Sequence, residues 1–83
     1  MYGVLFSATA RKKLEKFERA TQKRIVSALE RIRVRPEDHL KRIVGSPYHR
    51  LRVGDYRVIV GVQKDKLVIL VITIGHRKKV YKR

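Results

Sequence analysis

The sequence predicts an α+β fold, with helices packed on one face of an antiparallel sheet. Three observations lead there. Apolar residues in the first third of the chain recur at helical spacing. Beyond Tyr48 they become β-branched and alternate, as strands do. With 83 residues the chain has room for one domain, residues 1–83, around a small core.

The elements follow in order. Tyr2 to Phe6, "YGVLF", is short, aromatic and apolar, and reads as a strand. Ser7 then offers an N-cap hydroxyl. Ala10, Leu14 and Phe17 mark one face of a first helix, with Arg11, Lys12, Lys13, Lys16 and Arg19 turned to water. Thr21 is the expected N-cap of a second helix, whose buried face is Ile25, Leu29 and Ile32, widened by Val26 and Ala28. Pro36 stops it, because proline disfavours α geometry in the residue before it. Residues 36–47, "PEDHLKRIVGSP", read as a weakly ordered connection tacked to the core by Leu40, Ile43 and Val44. Three strands follow as a meander, "YHRLRV", "YRVIVGVQ" and "KLVILVITI", divided by Gly54-Asp55 and by Lys64-Asp65-Lys66. The expected whole is an N-terminal strand, a two-helix hairpin and a three-stranded antiparallel meander forming one sheet.

Charge limits what such a domain does. Twenty-two Lys and Arg stand against seven Asp and Glu, a net +15. Most of these cations have no carboxylate available, so the chain repels itself and attracts polyanions. Nucleic acid, an acidic protein and an anionic membrane surface all qualify. No apolar run is long enough to span a bilayer, and no secretory signal is expected, since the N-terminal charges follow the short apolar run. The chain has no cysteine, which excludes disulfides and thiolate zinc sites and fits a reducing cytoplasm. The basic helix residues have a plain reading as a solvated face, with rRNA or antitoxin-like contacts as the sharper one.

The segment "HRLRVGDYR" narrows the choice. A two-residue turn at Gly54-Asp55 sets Val53 opposite Tyr56, Arg52 opposite Arg57, Leu51 opposite Val58 and Arg50 opposite Ile59. Side chains alternate between faces, so Leu51, Val53, Tyr56, Val58, Val60 and Val62 point to the helices. Arg50, Arg52 and Arg57 share the other face. Like charges directly opposite destabilise a sheet, and only Asp55 is close in sequence. Either each arginine finds its own acid or stacks on Tyr48, or an external anion completes the cluster. Guanidinium suits phosphate, because its planar fork donates two parallel hydrogen bonds. A two-residue turn drawn from Lys64 to Lys66 puts Leu67, Ile69, Val71 and Thr73 on the helix face. Val68, Leu70, Ile72 and Ile74 then lie beside the arginines, where Ile59, Leu70 and Ile72 form an apolar floor, whereas a three-residue turn would reverse the faces.

The C-terminal stretch "IGHRKKVYKR" adds Arg77 and Tyr81, with His76, Lys78 and Lys79 around them. A mobile basic tail, a structural histidine and an apolar tack are the plain readings of these residues. Together, "YHRLRVGDYRVIVGV" and "VITIGHRKKVY" resemble the RelE-type toxins of the RelE/ParE superfamily, and "YGVLFSATARKKLEKF" and "LERIRVRPEDHLKRIVGSPY" extend the resemblance over nearly the whole chain.

The resemblance implies the toxin of a type II toxin–antitoxin pair, cytoplasmic, held in a heteromeric complex by a RelB-like antitoxin. The RelE branch cuts mRNA in the ribosomal A site without metal or cofactor: the ribose 2′-hydroxyl attacks the adjacent phosphorus and translation stops. Carried onto this chain, the catalytic positions are Arg52, Arg57, Arg77 and Tyr81, and the RNA-binding positions are Arg50, His76, Lys78 and Lys79. Lysines stand at the positions of Arg50 and Arg52 in the best-known branch, whereas a guanidinium stays protonated, so either Tyr81 or water is the base or catalysis rests mainly on geometry and charge; His76 is a competitor. Two alternatives remain. A ParE-like toxin poisons DNA gyrase and is no nuclease. A non-catalytic basic RNA-binding module would want more interleaved aromatics than two Phe, four Tyr and no Trp.

Overall fold

A computed structural model describes residues 1–76 of the chain. It has two helices on one face of a five-stranded mixed sheet. The elements are β1 (Gly3–Phe6), α1 (Ala8–Glu15), α2 (Arg19–Arg31), a 3₁₀ turn (Pro36–Asp38), β2 (Lys41–Arg42), β3 (His49–Val53), β4 (Tyr56–Gln63) and β5 (Val68–His76). The strand order is β1-β5-β4-β3-β2. The meander β3–β4–β5 is antiparallel, as the alternating pattern predicts, and β1 joins its β5 side in parallel. The core is one cluster, in which Ile25, Leu29 and Ile32 of α2 meet Leu51, Val53, Val58, Val60, Ile69, Val71 and Ile74 of the sheet.

Ser7 caps α1, accepting a hydrogen bond from the Ala10 amide at 3.0 Å. It also donates to the carbonyl of Ile72 at 2.6 Å, so one hydroxyl ties the helix start to β5. Thr21 is not the second cap. The chain closes α1 with tight bonds from the Lys16 and Phe17 amides and re-enters a helix at Arg19, so Glu18 takes the N-cap position and Thr21 lies inside the first turn. The connection 36–47 is more ordered than expected. Pro36 starts a 3₁₀ turn, and Lys41 and Arg42 pair with Arg50 and His49 as a fifth strand. Leu40 packs on the core, but Val44 is 98% exposed, because the turn at Val44-Gly45 carries it away from the sheet.

The β3–β4 register is the expected one at every pair. Gly54 adopts φ 58°, the left-handed conformation this turn requires. A Cβ there would lie 2.9 Å from Nη2 of Arg24, the far end of an exposed side chain that can move aside, so it is the backbone conformation that calls for glycine. The β4–β5 loop spans four residues, 64–67, rather than two, but keeps even parity, so Ile69 and Val71 reach the helix face. Beyond Val71 the expected faces reverse. Val60 pairs with Val71 while Ile59 pairs with Thr73, which leaves Ile72 as an extra residue, a β-bulge. Ile74 is therefore buried opposite Val58, and Thr73 moves to the arginine face beside Ile59. None of the described helices is long and apolar enough to cross a membrane.

Candidate functional site

Arg50, Arg52 and Arg57 lie on the sheet face turned away from the helices, because each alternates with a residue of the core. Arg52 and Arg57 are direct cross-strand partners. Their neighbours on that face are half-buried Ile59, Leu70 and Thr73 and, on β1, the exposed Leu5 opposite Leu70. Ile72, at the bulge, is half-buried as well. Lys41 pairs with Arg50 and adds a cation at the far margin. Lys13 reaches from α1 to the near margin, donating from Nζ to Thr73 Oγ1 at 3.0 Å.

No acid among the described residues neutralises this cluster. Among the described residues one ion pair forms, Arg33 with Glu30 at 2.7 Å, and it is elsewhere. Arg50, Arg52 and Arg57 make no side-chain hydrogen bond or ion pair there, and Asp55 stands exposed and unpaired. Arg57 is half-buried, with its Nε–H buried and without an acceptor. An unmet charged donor is costly, so the fold leaves this cation's hydrogen-bonding capacity open. Guanidiniums beside an apolar floor, that of Arg57 partly buried, can take a phosphate with its sugar or base.

The remaining sequence candidates divide. His76 does not share the arginine face: it pairs with Tyr56, whose side chain belongs to the helix side, and the two rings meet edge-on at 4.6 Å. Tyr56 in turn packs on Phe17 at 4.9 Å, so these rings close the sheet end against α1. Arg77, Lys78, Lys79 and Tyr81 lie outside the described residues.

A second cationic feature was not expected. β2 pairs with β3 only at His49 and Arg50, so the outer edge of Leu51–Val53 is open. Three adjoining cavities of about 390, 290 and 250 Å³ run along this edge, and Arg52 borders all of them. Lys23, Arg24 and Arg31 of α2 line them on one side and His39 and Lys41 on the other, with no acid in the lining. The spacing of Lys23, Ser27 and Arg31 at i, i+4 and i+8, with Arg24 next to Lys23, was the available signal for a polar helix stripe carrying three cations.

Residues 4–81 match the family profile described as the ParE toxin of the type II toxin–antitoxin system, parDE. The chain belongs to the RelE/ParE superfamily of type II toxins. This toxin also superposes on solved relatives along nearly its whole length. The RelB–RelE antitoxin–toxin complex of Methanococcus jannaschii gives 31% identity and a TM-score of 0.71, covering 94% of this chain and 95% of that one. The intact RelBE complex of E. coli gives 25% and 0.78, covering 92% and 96%. The RelBE2 complex of Mycobacterium tuberculosis gives 24% and 0.81, covering 92% and 98%, a likeness of fold. Among curated proteins none matches by sequence.

Proposed function

We propose that this toxin is a ribosome-dependent mRNA interferase whose arginine face binds the scissile phosphate. The observation that carries the reading is the Arg52–Arg57 pair. The two arginines are direct partners across neighbouring strands and have no counter-charge among the described residues, an arrangement that costs stability and that a bound anion relieves. The relatives solved with RelB support the toxin half of such a pair, and we extend to this chain an acidic or amphipathic antitoxin that covers its cations and apolar margin.

In this reaction the 2′-oxygen forms a bond to phosphorus and the bond from phosphorus to the 5′-oxygen breaks, leaving a 2′,3′-cyclic phosphate and a 5′-hydroxyl. The 2′-proton passes to Tyr81 or water, and the leaving oxygen gains a proton with help from Arg77. Arg57 and Arg52 stabilise the extra negative charge on the five-coordinate phosphorus, the electrostatic contribution that is often the largest in catalysis. Arg50 positions the RNA backbone.

The test is primer extension on mRNA from a translation reaction, with and without ribosomes. Codon-phased cuts are expected from the native chain, reduced about 10²–10³-fold by Arg57→Ala and lost with Arg77→Ala or Tyr81→Ala. The matched profile describes ParE toxins, which favours a second reading, a gyrase-directed toxin without nuclease chemistry. Intact messages with broken DNA would establish that instead. Uncut RNA and DNA, with RNA retained at low salt, would leave only a binding module.

A further inference from the structure

Tyr48 is placed where the proposed reaction needs something other than charge. Its carbonyl accepts from the Ile43 amide, which continues the β2–β3 pairing outward by one residue. The β3–β4 register, continued past His49–Val60, sets Tyr48 opposite Gly61. Its ring edge confirms the pairing: Cδ1 and Cε1 lie 3.6 and 3.7 Å from where a Cβ at Gly61 would stand. Two residues before Arg50, Tyr48 shares the arginine face, about 7 Å away along the strand. It remains 40% exposed, and its hydroxyl makes no hydrogen bond among the described residues. A glycine beneath an aromatic is itself a stabilising device in sheets, the ring covering the bare backbone. That role accounts for the seated edge but not for an exposed ring two residues from Arg50, on the face it shares with Arg52 and Arg57, none of which forms an ion pair among the described residues.

We propose that Tyr48 is a nucleobase-stacking platform next to the phosphate cradle, so that Arg50 and its neighbours hold one nucleotide's phosphate while the Tyr48 ring takes an adjoining base. The idea rests on the arginine face binding RNA. Stacking tolerates any base, because every base has a π-face, so Tyr48 sets position along the strand rather than sequence. A Cβ at Gly61 would meet the ring in ordinary van der Waals contact, so only a side chain larger than alanine would lift it off the sheet.

The experiment uses a short single-stranded RNA made uncleavable by 2′-O-methyl groups, and the same RNA carrying one abasic position, read by anisotropy at low salt off the ribosome. Tyr48→Leu keeps an apolar cover over Gly61 but removes the platform. It should weaken the intact probe about 10- to 100-fold. The abasic probe, with the gap at the position that matters most to the native protein, should bind the native chain and Tyr48→Leu equally. Tyr48→Phe should bind as the native chain does. Because the sequence has no tryptophan, Tyr48→Trp supplies a lone reporter whose emission should be quenched on saturation. It also serves if Tyr48→Leu fails to fold. Equal losses on both probes would mean that Tyr48 only supports the sheet, and an unquenched reporter would overturn stacking. Native protein that binds neither probe would sink the reading of the arginine face itself, whereas tight native binding indifferent to Tyr48 would sink this proposal alone.

Discussion

Arg52 is exposed on a strand edge and faces Arg57 across the ladder, and nothing inside the described residues compensates either charge. A residue kept for stability would not sit there. Arg52→Gln should therefore raise the free energy of unfolding by about 0.2–1 kcal/mol in low salt, an advantage that shrinks as salt screens the repulsion. Urea titrations at two salt concentrations measure it; a drop in stability would show that Arg52 has a partner within the fold. Ser7 is the opposite kind of residue, with one hydroxyl bonded to both the Ala10 amide and the Ile72 carbonyl. Ser7→Ala should cost about 1–2 kcal/mol, whereas Thr21→Ala, which removes no cap, should cost under about 0.5 kcal/mol. Unfolding curves of the two variants separate a true cap from one suggested by sequence.

At the scale of elements, the turn chemistry explains what the sequence could and could not show. Gly54-Asp55 has one economical conformation, so the hairpin register and the shared face of Arg50, Arg52 and Arg57 were legible from local residues alone. The bulge at Ile72 was not. Its carbonyl is taken by Ser7, 65 residues away, so no local pattern in "KLVILVITI" signals it, and both faces there are apolar. The two-residue β2 was hidden for the same reason: Lys41 and Arg42 have strand geometry because β3 is beside them. Position 67 hides a strain as well. Leu67 adopts φ 53°, half exposed, while its carbonyl accepts from the Gly3 amide at 2.8 Å and so anchors β1 to the loop. A branched apolar side chain is poorly suited to left-handed backbone. Leu67→Asn should stabilise by about 1 kcal/mol, more than Leu67→Gly, which loosens the unfolded chain. Thermal melts of both check the order; a destabilised Leu67→Asn would show that Leu67 packs in a way that outweighs its backbone cost.

For the whole molecule, salt should push two properties in opposite directions. A chain with +15 net charge and one ion pair among its described residues is held together by its apolar core against its own repulsion. Going from 0.1 to 1 M salt shortens the screening length from about 10 to about 3 Å, so the unfolding midpoint should rise. A protein stabilised by surface ion pairs would show the reverse. Binding responds the other way, since each phosphate neutralised on single-stranded RNA steepens the log–log dependence on salt by about 0.7. Arg50, Arg52 and Arg57 alone predict a slope of about −2. Engagement of the groove formed by Lys23, Arg24 and Arg31 would roughly double it. Measuring the slope for the native chain and for Lys23→Gln/Arg31→Gln therefore reports how many cations meet RNA at once. A slope near −2 in both confines contact to the arginine face. A steeper native slope that the double substitution flattens by more than one unit shows that the strand edge and α2 carry backbone as well. A slope near zero would mean that the charge serves some partner other than RNA.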